Sequence, residues 1–142
     1  MSRLRQANGD DYPEAAGKHM EDSGVLLAEG RHDGAAYLAG YVVECALKTL
    51  IQLESGQARH SHDLSGLDQE LDKLAVQAHS LFGRLYLGAQ ATLRASTILN
   101  GWRPEQRYQG PGVDANDAAT WNQEAADVYQ RTIGQLTLAG II

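Results

Sequence analysis

The chain has few residues that would crosslink or interrupt a fold: of its 142 residues, one is cysteine and three are proline. The lone Cys45 cannot form an intramolecular disulfide, so a packed core has to supply the stability. No charged segment followed by an apolar one stands at the N-terminus, and no apolar run approaches the ~20 residues of a membrane span. We therefore expect a cytoplasmic protein that does not associate with membranes.

Positive charge is also scarce. Twelve Lys and Arg against eighteen Asp and Glu give a formal net charge of −6 at pH 7, which argues against duplex DNA as a partner held by bulk charge. Only the middle of the chain, residues 56–113, is net positive, and there an anionic ligand would find partners. The alternative is that these charges are scattered over a solvated surface. The arginines concerned are Arg59, Arg84, Arg94, Arg103 and Arg107.

Alternating strand patterns are absent, and apolar residues recur at helical spacing along most of the chain. The sequence predicts helices over about 12–29, 32–54, a stretch that opens after Asp63, 84–99 and 114–139. Pro104, Pro111 and the glycines around them predict an irregular segment over 100–113. These features predict a single all-α domain over residues 1–142, with its core at about 12–136. The expected architecture is an antiparallel bundle of four to five helices.

Capping residues and buried stripes refine this expectation. The predicted caps and helix-end residues are Asp10 or Asp11 before the first helix with Pro13 in its first turn, Gly56 after the second, Asp63 before the third, and Asp114 with Asp117 at the start of the last. The predicted inward positions are Leu38, Val42, Cys45, Thr49 and Leu53; Leu67, Leu71, Leu74, Ala78 and Leu81; Leu85, Ala89, Thr92, Leu93 and Ser96; and Trp121, Ala125, Val128, Thr132 and Leu136.

One face of the second predicted helix carries Tyr37, Tyr41, Glu44 and Lys48, because their spacing brings them to one side of a helix. The plain interpretation is a surface Glu44–Lys48 ion pair of about 0.3–0.5 kcal/mol beside two half-buried tyrosines. Glu44, however, lies in the most apolar stretch of the chain, residues 42–51, where an ionised carboxylate needs a dedicated partner. It is therefore also a candidate to organise a polar network at a subunit interface.

A loop carries His60, His62 and Asp63 close together. Two or three potential ligands in one loop do not make a metal site, and no second cluster stands at ligand spacing, so we expect neither a metal nor a cofactor. His62 packing over the first turn of the third helix is the simple alternative. Cys45, in mid-helix on a buried face, is expected to be inert. No glycine-rich phosphate-binding motif is present.

The irregular segment around residues 102–108 combines two arginines, Arg103 and Arg107, with two aromatic residues, Trp102 and Tyr108. That mixture can stack on nucleobases and clamp phosphates. It can equally pin a loop to a helical bundle, and Glu105 could pair locally with either arginine. The segment alone favours the structural role.

Taken in order, these pieces resemble one known family. The helix that carries Tyr37, Tyr41, Glu44 and Lys48, then His62-Asp63-Leu64, then Arg107-Tyr108, is similar to the HEPN family (higher eukaryotes and prokaryotes nucleotide-binding domain) over residues about 12 to 136. The resemblance implies an all-α bundle that is commonly a homodimer. It makes Gly40 and the face of Tyr37, Tyr41, Glu44 and Lys48 candidates for the dimer interface.

Many members of that family are metal-independent RNA-cleaving toxins with an Arg followed about four to six residues later by a His. Here Arg103 and Arg107 stand at the expected place, but no His follows residue 79, which removes the acid–base group needed for cleavage. Other branches lack that motif and are described as nucleotide-binding or as partners of small nucleotidyltransferases in toxin–antitoxin or defence modules. The chain resembles those.

Three hypotheses follow. The first is a non-catalytic homodimer that binds a nucleotide-like anion or a nucleotidyltransferase partner. The second is an RNA endonuclease with a displaced base, using His60 or His62 with Arg103 or Arg107. The third is a structural dimerisation module without a ligand. The ligand-binding candidates are Tyr41, Glu44, Lys48, His62, Asp63, Arg103, Arg107 and Tyr108.

Overall fold

In the computed structural model, which describes residues 1–77 and 81–142, helices account for most of the chain and no strand occurs in either described range. The helices are α1 (Tyr12–Ala28), α2 (His32–Ser55), α3 (Leu64–Gln77), α4 (Leu81–Ala95), α5 (Ile98–Gly101), α6 (Ala115–Tyr129) and α7 (Gln135–Leu138). A 3₁₀ turn covers Pro104–Tyr108, and a π-helical turn over Gln130–Gly134 joins α6 to α7. The predicted all-α class is confirmed.

Local sequence signals set several helix ends. The Asp11 carboxylate accepts the Glu14 amide N–H at 3.4 Å, and Pro13 lies in the first turn of α1. Gly56 ends α2 with φ of 73°, in the left-handed region that glycine adopts without strain. The Asp114 carboxylate accepts the Asp117 amide N–H at 2.8 Å and so caps α6. These predicted helix ends are confirmed.

Helix α2 is the centre of the bundle, with α1, α6 and α3 packed around it. Every residue from Val42 to Ile51 is buried, so the prediction of a single apolar face is wrong over this stretch. Leu38 and Leu53, near its ends, are half-buried. By length and composition α2 is also apolar enough to cross a bilayer, contrary to the expectation from the sequence, but 78% of its most apolar window is buried inside the fold.

The predicted helix over 84–99 is instead two helices. α4 begins at Leu81 and ends at Ala95, and α5 starts at Ile98. The Glu124 carboxylate reaches across from α6 and accepts the amide N–H groups of Thr97 and Ile98 at 3.0–3.1 Å. A side chain distant in sequence thus satisfies amides that a continuous helix would have used internally.

Most of the predicted inward positions are buried or half-buried. The buried ones are Val42, Cys45, Thr49, Leu67, Leu71, Ala89, Leu93, Ser96, Ala125, Val128, Thr132 and Leu136. Leu74, Leu85, Thr92 and Trp121 are half-buried. Two further predicted inward positions, Ala78 and the side chain of Leu81, lie outside what the structure describes. The last helix, predicted as continuous over 114–139, contains the π-helical turn, where the Thr132 hydroxyl donates to the Val128 carbonyl at 2.7 Å.

Trp102 anchors the segment between α5 and α6. Its indole is 1% exposed and donates from Nε1 to the Tyr37 carbonyl at 2.9 Å. It fills the space above Gly40, where a Cβ would lie 2.0 Å from the indole Nε1. The expectation that Gly40 serves a dimer interface is therefore wrong, because a tryptophan of the same chain already occupies its open side.

Candidate functional site

A buried carboxylate, that of Glu44, lies at the centre of the candidate site. Glu44 Oε1 accepts from Lys48 Nζ at 2.7 Å, and the side chains are 3% and 5% exposed. His62 Nδ1 lies 3.0 Å from the same oxygen and 3.1 Å from Oε2. The simple expectation of a surface ion pair is wrong: Glu44 is buried within one chain and has two dedicated partners there, as a carboxylate in this environment requires.

This network gives its three members different roles. Lys48 also lies 5.2 Å from the centre of the Tyr12 ring, so its ammonium is enclosed by a carboxylate and an aromatic face. Such a buried, paired lysine neutralises Glu44 and is not an exposed phosphate ligand, which corrects the role expected for it. The His62 side chain is 54% exposed, so its ring reaches the surface while Glu44 fixes its orientation.

An aromatic layer continues the site toward the start of α2. The hydroxyls of Tyr37 and Tyr41 lie 3.0 Å apart, and both residues are half-buried, as predicted. The Tyr41 ring meets Trp102 edge-on at 4.9 Å and His62 edge-on at 6.3 Å. Burial, with the hydrogen bond to Tyr37, raises the pKa of Tyr41 well above its ordinary value. Tyr41 therefore stays a neutral phenol throughout the physiological range.

Arg107 and Tyr108 form the exposed edge of this layer. The Arg107 guanidinium lies 4.9 Å from the centre of the Tyr108 ring, and Tyr108 is 78% exposed. Contacts with Tyr108 and then with Tyr37 raise the pKa of Arg107. The arrangement places a permanent cation against a solvent-facing aromatic ring. We call Arg103, Arg107 and Tyr108 the arginine–aromatic edge.

Beside this edge runs a groove of about 560 Å³, here called the loop groove. His62 and Asp63 line one part of it, and Arg103 with Glu105 line another. Asp63 directly precedes α3, and its carbonyl accepts the Leu67 amide N–H at 3.0 Å, which places it at the predicted cap position. The groove therefore brings together residues about forty positions apart in the sequence, by the fold of α3 against α5.

The candidate cations differ in their availability. Arg59 pairs with Glu70 at 2.6 Å, and Arg94 pairs with Asp68 at 3.3 Å. Among the ion pairs of residues 1–77 and 81–142, none involves Arg103 or Arg107. Two of the five arginines in the basic stretch are thus engaged in the structure, and the two on the arginine–aromatic edge are available to an anion.

Sequence reasoning missed the contribution of α1. His19 stacks at 5.6 Å on Tyr41, on the side of the layer formed by α1. Burial lowers the pKa of His19, and within the described chain its Nδ1 is a buried atom with no hydrogen-bond partner. Tyr12 and Lys18 line a cleft beside Glu44. Only the antiparallel pairing of α1 with α2 reveals these neighbours, and periodicity within one helix carries no such signal.

Over the ranges the structure describes, no group of three or more His, Cys, Asp or Glu residues stands close enough to hold a metal ion. His60 lines the cleft beside α1, Asp63 lines the loop groove, and His62 lines both. The three residues singled out in the loop therefore face two different depressions.

Comparison with known proteins gives one result. A model of the HEPN domain matches residues 10–135. No curated protein and no solved structure matches significantly. The matched range runs from the residue before the α1 cap to the first residue of α7, and so includes every element of the site described above.

Proposed function

The chain belongs to the HEPN domain family, and from that premise we propose that it is a non-catalytic domain that binds a nucleotide-like anion, in RNA or as a free nucleotide. The arginine–aromatic edge supplies the contacts. Arg103 and Arg107 meet phosphate, and a base stacks on Tyr108. Tyr41 and Trp102 support this surface from below.

The observation that carries the proposal is the pairing of Arg107 with Tyr108. An exposed aromatic ring with a guanidinium 4.9 Å from its centre offers one partner for a base and one for a phosphate. Stacking on an aromatic side chain is worth about 1–3 kcal/mol per base, and it tolerates any base. The overall charge of −6 favours a ligand held locally over one attracted by the whole surface.

The proposal extends to assembly. The resemblance of the motifs to the HEPN family supports a homodimer that serves a small nucleotidyltransferase in a toxin–antitoxin or defence module. Since Gly40, Glu44 and Lys48 are buried within one chain, the expected dimer contact lies on surfaces other than these three positions. Light scattering after gel filtration measures the mass directly and separates a dimer from a monomer.

Fluorescence polarisation of an end-labelled single-stranded RNA tests the binding role, with unlabelled nucleotides as competitors. We expect Arg107→Ala and Tyr108→Ala each to weaken binding by about tenfold, since a charged hydrogen bond or one stacked base contributes that much. Arg3→Ala is the matched control. Arg3 lies far from the edge: the carbonyl of its neighbour Leu4 accepts from Gln52 at 3.0 Å. At 1.5 Å per residue, Gln52 is roughly 22 Å along α2 from Tyr37. Equal affinity of all four proteins contradicts the proposal.

One observation favours a second candidate function, metal-independent RNA cleavage. Glu44 holds His62 Nδ1 at 3.0 Å and so orients the ring, as a carboxylate orients a catalytic base in other enzymes. The other ring nitrogen is then free to face a ribose hydroxyl in the loop groove, beside Arg103. Cleavage of the labelled RNA in EDTA, lost in His62→Asn and kept in His60→Asn, supports it. RNA that stays intact with the unaltered protein contradicts this second candidate and leaves the binding role alone.

A further inference from the structure

Arg107 connects two aromatic surfaces, and the proposed function places a base on only one of them. Its guanidinium lies 4.9 Å from the centre of the exposed Tyr108 ring, and its side chain also contacts Tyr37. The rings of Tyr37 and Tyr41 meet edge to face, with their centres 5.1 Å apart. The second surface therefore begins where the arginine–aromatic edge meets α2, and it continues across Tyr41 to α1.

His19 forms the α1 end of this second surface. Its ring centre lies 5.6 Å from that of Tyr41, and the two rings are tilted by 35°. Both residues are half-buried, so part of each remains open to solvent. Tyr37 and Trp102 meet the Tyr41 ring edge-on from other directions. Packing thus holds Tyr41 and His19 in place before a ligand arrives, which lowers the entropy lost on binding.

We propose that His19, backed by Tyr41, is a second base-binding subsite. The ligand is then a single-stranded oligonucleotide that places one base on Tyr108, the next on His19 and the phosphate between them at Arg107. The inference rests on the proposed function, because Tyr108 remains the first subsite. Histidine and tyrosine rings both serve as platforms on which unpaired bases stack. A free mononucleotide would fill only half of such a site.

The chemistry of His19 suits a base and not a phosphate. Its Nδ1 is buried and has no hydrogen-bond partner among residues 1–77 and 81–142. Burial, followed by the positive charge of Lys18, lowers the pKa of the ring. His19 is therefore a neutral imidazole at neutral pH, and its contribution to binding comes from stacking instead of charge.

Arg107 is placed to hold the phosphate that links the two bases. It lies against Tyr108, and its charge also acts on the Tyr41 phenol, where it opposes the larger effect of burial on the pKa. A guanidinium has five N–H donors in its plane, so an aromatic contact on its face leaves donors for phosphate oxygens. Consecutive bases of a strand share one phosphate, as the two aromatic surfaces share one arginine.

Calorimetric titration of the full chain with the adenosine dinucleotide ApA tests the second subsite. The reference ligand is the same diester with one base removed, so that it keeps the single phosphate and loses one stacked base. We expect ApA to bind about tenfold more tightly than this one-base diester, since one stacked base contributes that much. His19→Ala should lower the affinity for ApA to that of the one-base diester, whose own affinity should change little.

Two further variants separate stacking from a general loss of structure. His19→Phe keeps an aromatic ring against Tyr41, so it should retain the preference for ApA. Val25→Ala removes a 63% exposed side chain from the same helix. It lies about 9 Å further along α1 at 1.5 Å per residue, so this variant should bind both ligands as the original protein does.

Equal affinity for ApA and the one-base diester overturns the inference, as does an undiminished preference for ApA in His19→Ala. A preference that is lost in His19→Phe as well would contradict stacking at this position. Tyr108→Ala distinguishes these results from a failure of the proposed function. If it weakens binding of the one-base diester while ApA binds no more tightly, only the second subsite is wrong. If neither ligand binds, or Tyr108→Ala changes nothing, the proposed function fails and the inference fails with it.

Discussion

His62 Nδ1 lies 3.0 Å from Glu44 Oε1, and this contact joins an exposed loop to the most buried part of the central helix. The same carboxylate oxygen accepts from Lys48. One buried negative charge therefore organises both a structural ion pair and the orientation of a surface imidazole. The stability of the core and the geometry of the candidate site are linked through Glu44.

The first prediction concerns the removal of one partner from this network. Lys48→Met leaves the Glu44 carboxylate buried with His62 as its remaining close partner, and breaking a buried pair in this way costs about 3–5 kcal/mol. We expect a large loss in the free energy of unfolding, measured by urea denaturation. The double variant Glu44→Gln with Lys48→Met should recover part of it, because no unpaired charge remains. A Lys48→Met stability within about 0.5 kcal/mol of the original would show that the pair is dispensable.

The second prediction concerns Gly40. A methyl group there would lie 2.0 Å from Trp102 Nε1, so Gly40→Ala must displace the indole from its hydrogen bond to the Tyr37 carbonyl. We expect a destabilisation of about 1–3 kcal/mol and a red shift of the tryptophan fluorescence. Gly24→Ala is the control, since a Cβ at that helical position meets nothing within 4 Å. It should stabilise α1 by about 0.5–1 kcal/mol.

The third prediction concerns pH. Burial raises the pKa of the Cys45 thiol to about 12, from an ordinary value of 9.0. Above the ordinary value the unfolded chain releases this proton while the folded chain retains it. The contribution of Cys45 to stability is therefore complete below about pH 8 and falls as the pH rises, by up to about 1.4 kcal/mol per unit. Urea midpoints measured at about pH 8 and 10 should diverge more for the original protein than for Cys45→Ala.

Equal pH dependence in the two proteins would mean that the thiol ionises as readily in the folded state as in the unfolded one. Tyrosines with raised pKa values, such as Tyr41, contribute to both proteins alike and cancel in the comparison. A thiol reagent gives an independent check: Cys45 should react with it only after unfolding, because the side chain is buried.

Much of the fold could be predicted because its signals are local. Asp11, Gly56 and Asp114 mark helix ends through contacts within one turn, and such contacts depend only on neighbours in the sequence. The break after Ala95 could not be predicted, because it depends on Glu124, which reaches the amides of Thr97 and Ile98 from another helix. The surroundings of Gly40 likewise depend on Trp102, far along the chain.

The candidate site shows the same division. The spacing of Tyr37, Tyr41, Glu44 and Lys48 placed them correctly on one side of α2, but could not show whether that side meets water, a second chain or another helix. Residues Val42–Ile51 are buried on all sides because α1, α3 and α6 pack around α2. The contributions of His19 and Lys18 arise in the same way, since they come from α1 and meet α2 only in the folded bundle.

The most direct test of the central claim is to photocrosslink a labelled single-stranded RNA to the protein and identify the modified peptide by mass spectrometry. We expect a crosslink at Tyr108 that free nucleotide competes away and that Arg107→Ala reduces. The tryptic peptide that carries Tyr108 covers residues 108–131 in the original protein and 95–131 in the variant. A crosslink confined to peptides outside the arginine–aromatic edge, with Tyr108 unmodified, would contradict the claim that this edge binds the ligand.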